Sequence, residues 1–526
     1  MNGARRAAGG VFLLALAARL FLVLHSGGFL GDYGYDGPVY YTASESLLHG
    51  RVPYRDFVLI HPPGIMLALA PFAQLGRLTT DHTGFVAANV VFLILGAVNA
   101  ALVVAVARRM GLSIRAAVAG GAFYALWSGS TGAEYLMRLE PLGNVLLLLG
   151  LFAFFTSRRS SDWCWPALTG LAFGAAAGVK IWWSLPLIIV LLWPAATTRW
   201  RRDLGLKAAG AASALGVILL PFFALAPAHM VNMVVFDQVG RHDNDPGVFD
   251  RLRTLTSLDL ISAHLHAGAL VAAIAALALL FAVACAVSFL AGPARLIAVL
   301  TVAQVAVLLI APSFYWFYAD YAAPGAALTV AVAAHQVSRA HAQARAATAT
   351  RSASALVARR WAWRVPVIAF GTAVAAMAFG LMPVRAVPPG RGSRLTPLVS
   401  AAHCVTSDSP MLLIRMNVLS RDLERGCQVW VDVSGTVLGP DAMTAGRDGR
   451  PVPPERNPKW QRDVTRYLLS GDATMVVRPQ TGLDANSWRL IMAHGVLATS
   501  GNIVIYRTRK VSNLTPVTDL AALTHW

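Results

Sequence analysis

The sequence predicts an α-helical polytopic membrane protein, with about 11 spans of roughly 20 apolar residues each and one shorter re-entrant or juxtamembrane helix. A small C-terminal extracytoplasmic α/β domain follows. Three observations predict this class. The 526 residues are 56% hydrophobic and 13% charged, where a soluble domain is about a quarter charged. The net charge of +18 is carried largely by short basic clusters that punctuate apolar runs. After residue 383 the long apolar runs give way to short stretches of strand and helix character.

The spans are expected at 10–26, 84–107, 116–132, 141–157, 164–180, 182–197, 205–226, 267–291, 295–312, 319–336 and 365–383. The first follows Arg5 and Arg6 without a small-residue cleavage site, which reads as a retained helix rather than a signal peptide. The segment 64–76 is short and holds Pro71, so it reads as the re-entrant or interfacial helix. Basic clusters fall at Arg5–Arg6, Arg108–Arg109, Arg158–Arg159, Arg199 with Arg201 and Arg202, and from Arg339 to Arg364. One topology, with the N-terminus cytoplasmic in a plasma membrane, sends all of them to the cytoplasm. That placement argues against a nucleic-acid partner and makes 337–364 a linker attracted to anionic lipid.

Division by composition gives a membrane domain, 1–383, and a soluble outer domain, 384–526. In the latter "QVWVDVSG", "TMVVRP" and "NIVIYRT" read as strands, and "WQRDVTRYLLSG" and "NSWRLIMAHG" as helices ending at Gly. Cys404 and Cys427 lie here, where an oxidising compartment permits a disulfide. Cys164 and Cys285 sit in apolar spans as packing residues. No Cys or His spacing suggests a metal site.

The same topology turns a set of ionisable groups outward. The first loop carries Asp32, Asp36, Tyr40, Arg55, Asp56 and His61. Later corners bring Arg138, Glu140, Lys180, Gln238, Arg241, His242 and, in "FYWFYADY", Asp320 and Tyr321. Charged groups at a membrane boundary are costly and default to functional candidates. A few acids among many cations suit transfer of a sugar from a lipid phosphate. A carboxylate takes the acceptor hydroxyl's proton, and cations stabilise the departing phosphate. "GPVYYTASESLLHG" reads as an amphipathic helix with Val39, Ala43, Ser46 and Leu47 on the lipid surface. Asp36 precedes it as base or as N-cap. "HPPGIM" sets prolines where a helix starts.

"YDGPVYYTASESLLHGRVPYRDFVLIHPPG" resembles the first outer loop of GT-C membrane glycosyltransferases. These include protein O-mannosyltransferases, lipid A aminoarabinose transferases and many actinobacterial cell-envelope enzymes. Asp36 matches the family's first acid, His61-Pro62-Pro63 its proline motif, and Glu140 in "RLEP" its second acid. "GLAFGAAAGVKIWW" resembles the small-residue span that ends at a lysine, here Lys180, facing the donor phosphate. The resemblance covers about 10–340 in order and implies catalytic Asp36 and Glu140. It further implies an inverting transfer from a polyprenyl-phosphate sugar, mannose or arabinofuranose, to a glycan, lipoglycan or protein acceptor. Where the family carries a second acid beside the first, this chain has Gly37-Pro38. No cofactor is expected, and a divalent cation held by paired acids is not supported; Asp36 or Asp32 would act alone. Two alternatives stand beside this reading: a transporter or flippase for lipid-linked sugars, and a non-catalytic scaffold.

Overall fold

The structure, a computed structural model, describes residues 2–25, 34–193, 200–240, 246–348, 395–438, 452–477, 482–500 and 503–508. The expected span at 365–383 and the candidates Asp32, Arg241 and His242 lie outside them. The protein is mostly helical. Six described helices are long and apolar enough to cross a membrane: Gly3–His25, Asp81–Met110, Leu139–Ser157, Trp200–Leu225, Ala267–Leu290 and Gly292–Ile310. Packing groups the chain into two compact units, each drawn from three stretches.

The first unit comprises 1–25, 91–216 and 244–385. Several expected spans are broken here. The stretch 116–132 divides at Trp127, which is extended (φ −65°, ψ 131°) between helices Ile114–Leu126 and Ser128–Glu134. The second helix is polar and buried, so it is not part of an apolar span. The stretches 164–180 and 182–197 form helices Cys164–Ala177 and Ser184–Leu192, separated where Lys180 turns extended (φ −150°, ψ 136°). A 3-10 turn, Trp316–Ala322, precedes helix Ala323–Thr348. That helix runs through residues 337–348, which the sequence assigned to a linker. Close packing relies on small residues. A Cβ on Gly174 would lie 2.8 Å from Cα of Ala211, so Cys164–Ala177 meets Trp200–Leu225 almost backbone to backbone.

The second unit comprises 26–90, 217–243 and 386–526. Its sheet has strands β1 (Val405–Ser407), β2 (Ala473–Val477), β3 (Gly495–Ser500) and β4 (Ile503–Arg507), in spatial order β1-β2-β4-β3. β1 runs parallel to β2, with Val405 opposite Ala473; the other pairs are antiparallel, and a bulge interrupts β3 at Val496–Ala498. Helix Pro458–Leu468 begins as its sequence dictates. Asn457 caps the amides of Lys459 and Trp460, and Pro458 takes the first position, where no amide is needed. It buries Trp460, Val464, Tyr467 and Leu468 with Val476, Ile491, Val504 and Tyr506, and Ile60 of the first loop joins this core. Cys404 and Cys427 are joined by a disulfide.

Two sequence expectations fail in this unit for physical reasons. "QVWVDVSG" is not a strand. Val429, Val431 and Val433 are buried and Trp430 stacks on Tyr467 at 4.8 Å. The backbone carbonyls of Val429 and Val433 accept from Arg51 Nη1 (2.7 Å) and Trp460 Nε1 (3.1 Å), which replaces a strand partner. Helix Asp36–Leu48 does not lie on a lipid surface either: Val39, Ala43 and Ser46 are buried in the protein, as are all its residues from Gly37 to Ser46.

Candidate functional site

In the first unit the chain brings two expected site residues together. Glu140 stands in the first turn of Leu139–Ser157, after an extended Arg138 (φ −139°, ψ 171°). Lys180 projects from the break that follows Cys164–Ala177. Its Nζ donates to Glu140 Oε1 at 2.9 Å, and both side chains are 1% exposed. The ammonium also sits 4.0 Å from the ring centre of Trp182 and 3.9 Å from that of Tyr318. Aromatic faces are electron-rich and stabilise a desolvated cation where water cannot. Tyr321 supports this wall, donating its hydroxyl to the carbonyl of Trp182 at 2.7 Å while its ring meets Trp183 edge-on. Arg138, nearly buried, stacks over Phe317 at 3.7 Å and near Trp316 at 5.4 Å. Asp320 is fully buried, its backbone carbonyl accepting from Asn144 Nδ2 at 2.8 Å.

A second buried ion pair in this unit went unread in the sequence. Arg19, inside the first apolar run, is fully buried and donates through Nε and Nη2 to Glu134 Oε2. Its Nη1 reaches the carbonyls of Ala15 and Ala125 at 3.1 and 3.2 Å. Asn99 Nδ2 and the Tyr124 hydroxyl donate to the other Glu134 oxygen at 2.7 and 2.6 Å. Gly96 makes room: a Cβ there would stand 2.5 Å from Arg19 Nε and 2.8 Å from Glu134 Cβ. The available signal was a single Arg within an apolar stretch, which demands an internal partner.

In the second unit the first loop is held by hydrogen bonds to its backbone. Asp36 is the first residue of Asp36–Leu48, half-buried, and the N-cap position belongs to Tyr35, which makes no side-chain cap. Tyr40 and His61 are both nearly buried and meet edge-on at 5.9 Å. Tyr54 takes the left-handed conformation (φ 67°), uncommon for a residue with a bulky side chain. Its hydroxyl donates to the carbonyl of His61 at 2.7 Å, and its amide to the carbonyl of Phe57 at 2.9 Å. Gln238 Nε2 donates to the carbonyl of Ile60 at 2.8 Å, and His229 Nδ1 bonds the carbonyl of Tyr54 at 3.2 Å. Arg55 and Asp56 pair with one another at the surface, at 2.8 Å. Arg55's hydrogen bonds hold the Asp56 carboxyl below its usual range. Asp56 closes the loop on itself, accepting from the Val52 amide at 2.7 Å and donating its own amide to the Val52 carbonyl at 2.8 Å, while Gln238 braces it from a separate stretch of chain.

Below this loop lies a buried acid that the sequence reading did not single out. Glu45 is fully buried, with Arg77 Nε at 3.9 Å and His49 Nδ1 at 3.5 Å from its Oε1. Burial, with repulsion from Asp81, raises its carboxyl to about 8. Asp81 caps helix Leu419–Glu424, accepting from the amides of Leu419 (2.9 Å) and Ser420 (3.3 Å) and from the Ser420 hydroxyl.

No protein-family model matches the sequence, and no curated protein is similar to it at the sequence level. Solved structures are similar in fold. ArnT from Cupriavidus metallidurans bound to undecaprenyl phosphate aligns with a TM-score of 0.57 at 16% identity, over 96% of this chain and 99% of that one. Its apo state gives 0.57 at 15% identity, over 96% and 98%. The Archaeoglobus fulgidus oligosaccharyltransferase complex with Zn and sulfate gives 0.51 at 13% identity, over 89% of this chain and 67% of that one. The chain therefore shares its fold with these ArnT and oligosaccharyltransferase structures.

Proposed function

We propose that this multi-pass membrane protein is an inverting glycosyltransferase. It moves a sugar, mannose or arabinofuranose, from a polyprenyl-phosphate donor to a cell-envelope glycan, lipoglycan or protein on the outer face of the plasma membrane. The observation that carries the reading is the fold likeness, along almost the whole of both chains, to an ArnT structure that holds undecaprenyl phosphate. The order of Asp36, His61-Pro62-Pro63, Glu140 and Lys180 in the sequence supports it.

In this reaction the acceptor hydroxyl oxygen forms a bond to the anomeric carbon as the bond from that carbon to the phosphate oxygen breaks. The hydroxyl proton passes to the Asp36 carboxylate, and the polyprenyl phosphate leaves as a monoester with one more negative charge. Cations that meet this growing charge lower the barrier. Arg138 presents a planar guanidinium fork, and Lys180 a point charge that stands beside Glu140 and two ring faces. His61, Tyr40, Gln238, Arg55 and Asp56 contact the donor or acceptor, as do Asp32, Arg241 and His242. Tyr321 backs the wall of the sugar site through Trp182, and Glu140 pairs with Lys180. The N-terminus lies in the cytoplasm and the C-terminal α/β region outside it.

The test uses membranes bearing the wild-type chain or Asp36→Asn, incubated separately with radiolabelled decaprenyl-phosphate mannose and arabinose. Wild type is expected to label an acceptor with one donor. The variant, folded to the same extent, is expected to lose that transfer. Full activity in Asp36→Asn refutes the assignment of the base, and no transfer from either donor by wild type refutes the donor class.

A further inference from the structure

Helix Leu139–Ser157 carries Glu140 at one end and is followed at the other by Arg158, roughly 27 Å away at 1.5 Å per residue. At that far end a cavity of about 180 Å³ is lined by Phe154, Arg158, Trp193, Pro293, Arg295 and Leu296. These residues come from the ends of three helices: Leu139–Ser157, Ser184–Leu192 and Arg295–Ile310. Arg158 and Arg295 are both exposed, and among the described residues neither has an ion-pair partner. Arg295 Nε donates to the carbonyl of Phe289 at 3.0 Å, which anchors the side chain and leaves both terminal nitrogens for another acceptor. The Arg158 guanidinium lies 6.0 Å from the ring centre of Phe154. Lys207, nearly buried, stands 5.2 Å from that same ring and donates to the carbonyl of Val190 at 3.3 Å. The first turn of the 16-residue helix Arg295–Ile310 contributes its partial positive charge as well.

The flanks of this cavity are apolar and open. Leu192, next to Trp193, is 76% exposed; Leu290 and Phe289, just before Gly292, are 77% and 50% exposed. A free phosphate ion needs no such surface, but the acyl chains of a lipid do. The positive-inside rule accounts for arginines at span ends in general. It does not require two of them, from separate helices, to converge on one aromatic-walled cavity.

We infer that this cavity binds the phosphate headgroup of an anionic phospholipid. Arg158 and Arg295 grip the phosphate oxygens, and the acyl chains lie along Leu192, Phe289 and Leu290. The site is at the opposite end of its helix from Glu140 and does not depend on the proposed transfer reaction.

The test titrates the purified full chain in detergent with phosphatidylglycerol, phosphatidylcholine or inorganic phosphate. Lipid retention is read by native mass spectrometry and stability by melting temperature. Wild type is expected to retain phosphatidylglycerol and melt higher with it, and to do neither with phosphatidylcholine or phosphate. Arg158→Gln with Arg295→Gln is expected to weaken retention roughly twenty-five-fold, at about fivefold per arginine near a phosphate surface. Arg5→Gln with Arg6→Gln, the same loss of charge elsewhere, should leave it unchanged. The inference is overturned if the Arg158/Arg295 variant retains phosphatidylglycerol as wild type does, or if phosphate alone or phosphatidylcholine stabilises equally. Should that variant aggregate on sizing, Arg158→Lys with Arg295→Lys decides. Retention weakened severalfold by loss of the planar fork supports the site, and unchanged retention overturns it.

Discussion

Lys180 and Glu140, forty residues apart in sequence, form an ion pair at 2.9 Å in which neither side chain is more than 1% exposed. Two aromatic rings lie 4.0 and 3.9 Å from the ammonium. A buried pair of this kind gains little over an apolar replacement, but removing one partner strands the other charge. Lys180→Met is therefore expected to destabilise the protein by about 3–5 kcal/mol. Lys180→Met combined with Glu140→Leu should recover more than half of that loss. Denaturant unfolding in detergent of the single and double variants measures the difference. Additive losses would show that the two residues are not coupled.

Gly96 is expected to tolerate no side chain. A methyl group there would press on both Arg19 and Glu134, whose hydrogen bonds to Asn99 and Tyr124 leave little room to shift. Gly96→Ala normally improves a helix interior by about 1 kcal/mol. Here overpacking should reverse the sign, giving a net loss on the order of 1–3 kcal/mol. A melting temperature at or above wild type would contradict the account.

Glu45 gives the second unit a pH dependence with a definite sign. Its folded carboxyl is raised to about 8, against about 4.3 in an unfolded chain. Between these values the folded state binds more protons than the unfolded state, so stability falls as pH rises through that window. The contribution is fully present below the unfolded value and lost once pH passes the folded one. Glu45→Gln, which stays neutral, should flatten the fall in melting temperature from pH 5 to pH 8 and melt above wild type at alkaline pH. A parallel pH profile for variant and wild type would remove Glu45 as its source.

Tyr54→Phe removes the hydroxyl that holds the carbonyl of His61 but keeps the ring and its unusual backbone conformation. One neutral hydrogen bond is worth about 1 kcal/mol, so global stability should drop by roughly that amount. The local effect should be larger. Amides from 55 to 61 are expected to exchange hydrogen faster than in wild type, while those of Pro458–Leu468 stay protected. Unchanged exchange in the loop would show that Gln238 and His229 alone suffice to hold it.

Much of the helical plan was legible because its causes are local. A run such as 267–290 has one composition from end to end and no polar interruption. The cap at Asn457 and the prolines before Gly64 act within a few residues of where they stand. The breaks were harder to read. Trp127 and Lys180 are extended within apolar surroundings, and neither is proline or glycine. What holds them there is distant: the Ser128–Glu134 segment carries an acid to Arg19, and Lys180 reaches Glu140. Strand character in 428–435 misled for the same reason, since alternating burial of Val429, Val431 and Val433 arose without a neighbouring strand.

The sequence by itself determined that this chain is a multi-pass helical membrane protein with a small mixed α/β region near its C-terminus. Apolar length and charge content are summed along the chain and need no partner to be read. Tertiary structure alone decided which charges are neutralised inside and which stay open. Lys180 met Glu140, Arg19 met Glu134, and Arg158 and Arg295 met no acid among the described residues. The physical reason is that a buried charge is stable only beside a countercharge within a few ångströms, and that proximity exists only once distant helices have packed.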